Sequence, residues 1–276
     1  MIIRAMSRQE LDVALDWAAA EGWNPGLHDA DCFYAADPGG YLAGFIDGAM
    51  AASIFAVRYG ASFGFIGGYI VKPEYRGKGC GIAIWNAGMA RLAGRNVALD
   101  GVVAQQPNYA KSGFVLAHRN IRFEGLGSGR PAPAAGIERA PDHAGLARYD
   151  RAFFADDRTA FLRCWTGQPQ HVTLAARVAG GIAGYAVMRP CRNGYKIGPL
   201  FADTPELAEQ LFTALQGEAP QGAALFLDVP EPNEAALALA QRHQLRPCFE
   251  TARMYTAGEP EISLARTYGI TTFELG

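Results

Sequence analysis

The sequence predicts an α/β chain of two tandem domains built on one plan, each a mixed, mainly antiparallel sheet flanked by helices. Apolar residues follow strand and helix periods in the order strand, helix, three strands, helix, strand. That order stops at "GLGSGRPAPAAG", Gly125 to Gly136, where small residues, glycine and proline replace any apolar period. On either side the sequence echoes itself at a nearly constant offset. "IIRAMSRQEL" from Ile2 is answered by "IERAPDHAGL" from Ile137, Arg58 with Ile66-Gly67 by Arg189 with Ile197-Gly198, and "NIRFEG" by "TARMYTAG". The boundaries expected are 1–126, a linker at 127–136, and 137–276.

In the first half a short strand at Ile2 to Arg4 leads into a helix from Arg8 to Glu21, with Leu11, Leu15 and Ala18 on one face. Strands at Tyr41–Ile46, Ala49–Arg58 and Phe63–Val71 are separated by "DG" and "YGAS", which is hairpin chemistry. The next helix, Ile82 to Leu92, sets Ile82, Trp85, Met89 and Leu92 on one face and stops at Gly94. "VALDGVVA" reads as a buried parallel strand, Pro107 starts a short helix, and "NIRFEG" closes the half as a late strand.

Composition narrows the function classes. Half of the 276 residues are apolar, 19% are charged, and the net charge is -2, which gives no electrostatic footprint for nucleic acid or an anionic membrane. "MIIRAMSRQE" lacks an apolar core of signal-peptide length, and the longest apolar stretch is closed by Asp47 and Arg58, so a cytoplasmic protein is expected. Five cysteines without a C-x-x-C pair read as reduced thiols, and five scattered histidines show no metal-ligand spacing. Nothing fixes the oligomeric state, and a homodimer is compatible.

The informative stretch is "YIVKPEYRGKGCGIAIWNAG", Tyr69 to Gly88. Strand, glycine-rich loop and helix in that order set backbone amides at the positive end of a helix dipole, with glycines where the backbone must approach a ligand closely. That is a pyrophosphate cradle. The spacing fits neither a nucleotide P-loop nor a dinucleotide fingerprint, since antiparallel strands precede it.

"VKPEYRGKGCG" resembles the acyl-CoA motif of the GNAT superfamily of N-acyltransferases, and "YAKSGF", Tyr109 to Phe114, is similar to that superfamily's second motif. The resemblance covers residues 1 to 125. With "AEGWNPG" and a second half ending "YGITTFELG", the whole is similar to a subgroup joining a GNAT domain to a degenerate partner. It implies an acyl-CoA-dependent N-acetyltransferase in which acetyl-CoA lies between two splayed strands and a primary amine, of a small molecule or a lysine-containing peptide, attacks the thioester directly. Cofactor contacts fall on Ile70, Val71, Arg76, Gly77, Lys78, Gly79, Cys80, Gly81, Asn108 and Ser112, and no metal is implied. Tyr109 takes the place of the acid that protonates the leaving thiolate. The asparagine usual seven positions earlier is Val102 here, which leaves its contact to Asn108. Asp100 is the expected base, with Glu21, Asp29 or a water chain as alternatives. Trp23, Asn24, Asp29, Phe33 and Tyr34 are expected to line the acceptor pocket.

The second half keeps Asn233 but has Ala240 at the tyrosine position, and its loop, "LFADTPELAEQ", carries Asp203, Glu206 and Glu209 in place of glycines. Carboxylates there repel a pyrophosphate, so this domain is expected to bind no CoA, and either to close the first domain's acceptor site with the tail "GITTFELG" or to serve stability alone. "GASFG" matches a nucleophile elbow, but a strand follows it, which excludes a hydrolase. A non-catalytic acyl-CoA sensor is the alternative reading.

Overall fold

A computed structural model describes residues 1–131, 136–139 and 142–276. Positions 132–135 of the expected linker lie outside the described residues. The first half runs β1 (Ile2–Ala5), α1 (Arg8–Ala20), α2 (Asp29–Ala36), β2 (Tyr41–Ile46), β3 (Ala49–Tyr59), β4 (Phe63–Val71), α3 (Cys80–Arg91), β5 (Asn96–Val102), α4 (Gln106–Ala110) and β6 (Val115–Leu126). The second runs β7 (Ile137–Arg139), α5 (His143–Asp150), α6 (Thr159–Gly167), β8 (Val172–Val178), β9 (Gly181–Pro190), β10 (Tyr195–Ala202), α7 (Pro205–Glu218), β11 (Ala224–Pro230), α8 (Glu234–Arg242), β12 (Arg246–Tyr255) and β13 (Thr267–Gly269).

Local chemistry accounts for the helices that frame the sheet. Helix α1 opens with a capping box in which Ser7 accepts from the Glu10 amide and Glu10 accepts from the Ser7 amide, and it buries Leu11, Ala14, Leu15 and Ala18. Helix α3 differs from the sequence expectation. Its buried face is Cys80, Ile84, Trp85 and Gly88, with Leu92 at its end, while Ile82 is 61% exposed. Gly88 sets this rotation, because a Cβ there would lie 2.9 Å from Ile54 Cδ1, so the helix rests its small residues on β3. Helix α2 falls in the stretch expected to line the acceptor pocket, and its first turn of "DAD" after a histidine precedes an otherwise apolar segment that packs on α6.

All strands join one 13-stranded sheet, ordered β1-β2-β3-β4-β5-β12-β6-β11-β10-β9-β8-β7, with β13 beside β10. The last long strand of each half is exchanged. Strand β12 inserts between β5 and β6, and β6 in turn pairs with β11. Each exchange carries a buried ion pair at matching registers. Arg253 of β12 faces Asp100 of β5 at 2.6 Å, and Arg122 of β6 faces Asp228 of β11 at 2.7 Å. The two halves therefore share a sheet that no cut at the linker separates.

Removing one partner leaves the other charge buried and unpaired. Asp228→Ala should therefore cost about 3–5 kcal/mol. Denaturant unfolding of the variant measures it, and the whole chain should unfold in one transition reported alike by probes in both halves. Burial works to raise the Asp228 carboxyl, but Arg122 and Lys196 outweigh it and hold it low. Its contribution is thus present above the unfolded carboxylate pKa and lost as pH falls through the lower folded value.

Candidate active site

Strands β4 and β5 start as parallel neighbours, from Phe63 opposite Asn96 to Ile66 opposite Leu99, and pair no further. A bulge in β4 opposite Ser53–Phe55 causes the separation: Gly68 takes φ +52 and its carbonyl accepts from the Ser53 hydroxyl at 2.8 Å. Beyond the bulge Tyr69, Ile70 and Val71 diverge from Asp100, Gly101 and Val102, leaving an open angle in the sheet. Strand β12 then closes the far side of β5.

The angle opens into a cavity of about 430 Å³ lined by Gly67 to Val71, Leu99 to Val102, Tyr109, Trp85, Trp23, Glu21, Phe249, Thr251, Phe273 and Glu274. Tyr109 sits on its floor, packed on Gly101, where a Cβ would fall 2.2 Å from the ring. Trp85 stacks on Tyr109 with centroids 5.6 Å apart and is itself fixed by its Nε1–H donating to Ser112 Oγ at 3.0 Å. Burial, then the neighbouring Tyr69, push the Tyr109 phenol up to about 12, so it holds its proton throughout the neutral range. Its hydroxyl has no hydrogen-bond partner among the described residues.

At the mouth, Gly77 and Gly79 have φ +73 and +80 with nothing within 4 Å of their missing side chains, so the loop presents bare backbone to the space in front of α3. The Ala83 amide donates to the Gly79 carbonyl, which leaves the amides of Cys80, Gly81 and Ile82 ahead of the first helical acceptor. Those groups fit a diphosphate. Gly81 lies against Tyr69, whose hydroxyl is 2.7 Å from where a Cβ would stand.

Other predicted residues are placed differently. Arg76 turns inward: its Nε donates to the Val71 carbonyl at 2.8 Å and its Nη2 pairs with Glu21 at 2.7 Å. Lys78 extends toward Tyr75, and Asn108 is exposed, bonded to Gln105 and Lys111. Ile70 is 6% exposed on the cavity wall, whereas Ser112 acts through Trp85. Asp100, expected as base, has both oxygens committed. Oδ1 accepts from Arg253 Nε at 2.8 Å and Asn120 Nδ2 at 2.7 Å, and Oδ2 accepts from Arg253 Nη2 at 2.6 Å. It is a strut of the strand exchange.

Of the five expected acceptor residues only Trp23 reaches the cavity. Asn24 bonds the Asn193 backbone at 2.9 and 2.8 Å, and Asp29 is buried against Arg189 and the Gly26 amide. Phe33 stacks on Trp165, and Tyr34 on Tyr41. Asn24, Asp29 and Phe33 thus join the halves, and Tyr34 packs within the first. Phe249, Thr251, Phe273 and Glu274 reach the cavity from the second half, the last two on the tail expected to close the acceptor site and the first two from β12, which no sequence signal marked. Within that tail the signal is a single acid, Glu274, inside the otherwise uncharged run "YGITTFELG".

The second half repeats the geometry with its angle filled. Strands β10 and β11 are parallel from Tyr195 opposite Leu225 to Ile197 opposite Leu227, and then β13 takes the place beside β10, with Gly269 opposite Leu200. The Ile270 amide completes the plug by donating to the Asp228 carbonyl at 2.9 Å. Asn233 holds it, its Nδ2 donating to the Thr267 carbonyl at 2.8 Å. The acids of this half's loop are spent locally: Asp203 on Arg266 at 2.8 Å and Glu209 on Arg242 at 2.8 Å. Among the described residues no group of histidine, cysteine and acid side chains could hold a metal, and no helix is long and apolar enough to cross a membrane.

Comparison with known proteins agrees with this geometry. The acetyltransferase (GNAT) family matches residues 7–114, and an acetyltransferase (GNAT) domain matches residues 146–269. A holothin acyltransferase from Pseudoalteromonas sp. (strain SANK 73390) is 28% identical over 98% of this chain and 92% of its own. A crystal structure of a candidate acetyltransferase from Pyrococcus horikoshii superposes with a TM-score of 0.84 at 21% identity, covering 100% of this chain and 95% of that one. A tandem GNAT protein from the clavulanic acid biosynthesis pathway superposes at 0.61 with 16% identity, over 92% of this chain and 97% of that one. With a GNAT domain matched in each half and one open angle between them, the chain belongs to the GNAT acyltransferases, as a two-domain member.

Proposed function

We propose that the protein is an N-acetyltransferase that moves an acetyl group from acetyl-CoA to a primary amine by direct attack in a ternary complex. The observation that carries this reading is the open angle between β4 and β5, with free α3 amides at its mouth and Tyr109 on its floor. The pantetheine arm would add as an extra strand along Tyr69–Val71, an edge that no strand pairs and that Arg76 meets only at the Val71 carbonyl, and the amides of Cys80 to Ile82 would meet the diphosphate. Tyr109 would give its proton to the departing thiolate. Burial makes the phenol a weaker acid than in water, but a thiolate leaving into the same desolvated floor is a correspondingly stronger base. The wall of Trp23, Phe249 and Phe273 suits a small amine with an apolar body better than an extended peptide. The relative named as a holothin acyltransferase supports a small-molecule acceptor.

A thiol-release screen of amines, amino acids, polyamines and lysine peptides against acetyl-CoA and longer acyl-CoAs tests the activity. With the best amine found, Tyr109→Phe should keep ring packing and CoA affinity while the turnover number falls by about 10² to 10⁴. Turnover within about threefold of wild type, with chemistry limiting, would return Tyr109 to a packing role.

Calorimetry with acetyl-CoA tests the cradle. One site per chain is expected, because β13 occupies the second angle. The affinity should drop by about tenfold or more in Gly79→Val, as a side chain enters the anion site, and in Gly81→Val, as the clash with the Tyr69 hydroxyl displaces the start of α3 and its amides. Thermal unfolding of each variant separates a blocked cradle from the backbone strain that a positive φ imposes at position 79. Two equal sites, or unchanged affinity in a folded variant, would contradict this assignment.

A further inference from the structure

The cavity wall carries a carboxylate that neither sequence motif includes. Glu274 is 3% exposed, and neither of its carboxylate oxygens, both buried, has a hydrogen-bond partner among the described residues. Leaving such a group unpaired in the interior is costly, so the fold tolerates a strain here that a glutamine or leucine would relieve. The position is not loose. After β13 the segment is tied by the Leu275 amide donating to Thr272 Oγ1 at 2.9 Å, the Gly276 amide to the Thr272 carbonyl at 3.2 Å, and the Tyr59 hydroxyl to the Leu275 carbonyl at 3.2 Å. It also presses on the β4 bulge: a Cβ on Gly67 would fall 2.1 Å from the Glu274 carbonyl oxygen.

Three carboxylates line the cavity. Glu21 is paired with Arg76 and Asp100 with Arg253, so among the described residues Glu274 alone has no protein partner. The charged groups around it are Lys196 of β10, Arg122 of β6, Arg189 of β9 and Asp29 of α2. Lys196 is satisfied by the Asn24 carbonyl and Arg122 by Asp228, while Arg189 gives its Nε to Asp29 and keeps both terminal nitrogens buried without a hydrogen-bond partner among the described residues, none of them bonded to Glu274. Burial prevails over the three cations and raises the Glu274 carboxyl above the usual carboxylate range.

We propose that Glu274 is the catalytic base of the transfer, supplied to the first half's active site by the second half, and that it receives the acceptor as a primary ammonium. The inference rests on the acyl-transfer reading above. Glu274 takes one proton from the ammonium, leaving a neutral amine and a carboxylic acid. The nitrogen lone pair forms the C–N bond to the thioester carbonyl carbon, and the C–S bond breaks with its electrons on sulfur. Sulfur takes the Tyr109 proton, the second nitrogen proton replaces it on the Tyr109 oxygen, and Glu274 returns its own to water. A base whose pKa lies closer to neutrality than an ordinary carboxylate's suits this step. The apolar part of the amine would lie on Trp23, Phe249 and Phe273.

The test compares wild type, Glu274→Gln and Glu274→Asp in acetyl-CoA thiol release with the best amine from the screen, from pH 5 to 9, with acetyl-CoA affinity by calorimetry. The wild-type turnover number should fall on the acid side as Glu274 becomes protonated. In Glu274→Gln that limb should vanish and turnover should fall by about 10² to 10⁴ with acetyl-CoA affinity within about twofold, and Glu274→Asp should restore part of the rate. If Glu274→Gln turns over within about threefold of wild type, the base assignment fails while the acyl-transfer reading stands. If no amine releases thiol in the wild type, the acyl-transfer reading itself fails and takes the assignment with it. Should Glu274→Gln not fold, the wild-type profile decides: turnover that stays flat down to pH 5 overturns the proposal.

Discussion

Everything in this molecule hangs on the reciprocal exchange of β6 and β12 at the centre of the sheet. Strand β12 pairs with the far edge of β5 from Ala98 to Val102, and so keeps β5 held in the sheet where β4 splays away from its near edge. The buried Asp100–Arg253 and Asp228–Arg122 pairs lock this arrangement in register. Slipping either strand by one residue would turn its arginine to the other face and leave both charges unpaired in the interior.

Much of the site was legible because its chemistry is local in sequence. Positive-φ glycines, a helix start and Tyr109 four residues ahead of Gly113-Phe114 sit within a short span, and the structure sets them around one cavity mouth and floor. The tail's approach to the site was legible too, but the strand exchange, and with it what β12 supplies, was not. The echo between "NIRFEG" and "TARMYTAG" marks equivalent strands but cannot say which neighbour each takes, because that depends on faces brought together only by the fold. Asp100 looked like a base for the same reason: the arginine that engages it lies 153 positions away. Asn24 and Asp29 are polar residues beside an aromatic one, a pattern shared by binding loops and by contacts between halves, and here they are the latter.

The two halves have resolved one geometric problem in opposite ways. Splaying two parallel strands exposes backbone donors and acceptors that must be met. In the second half the chain meets them itself, with β13 laid beside β10 and Asn233 clasping its approach. In the first half the edge from Tyr69 to Val71 is left to the cavity, which makes it a place where an extended ligand gains hydrogen bonds that the protein does not already have.

The same segment that plugs one angle furnishes the other. Residues 267–271 pass the second half's Gly198, where a Cβ would meet the Thr271 carbonyl at 2.5 Å, and residue 274 passes Gly67, the equivalent position of the first half, at 2.1 Å. Both glycines are bare because a backbone lies on them, so the path is fixed at each end. A duplicated domain that gives up its own ligand angle thereby gains a rigid arm, and the arm's reach delivers Phe273 and Glu274 to a wall that the first half, with Asp100 and Glu21 already paired, cannot furnish with a free carboxylate of its own. A filled angle in one half and a completed cavity in the other are two consequences of where a single short segment lies.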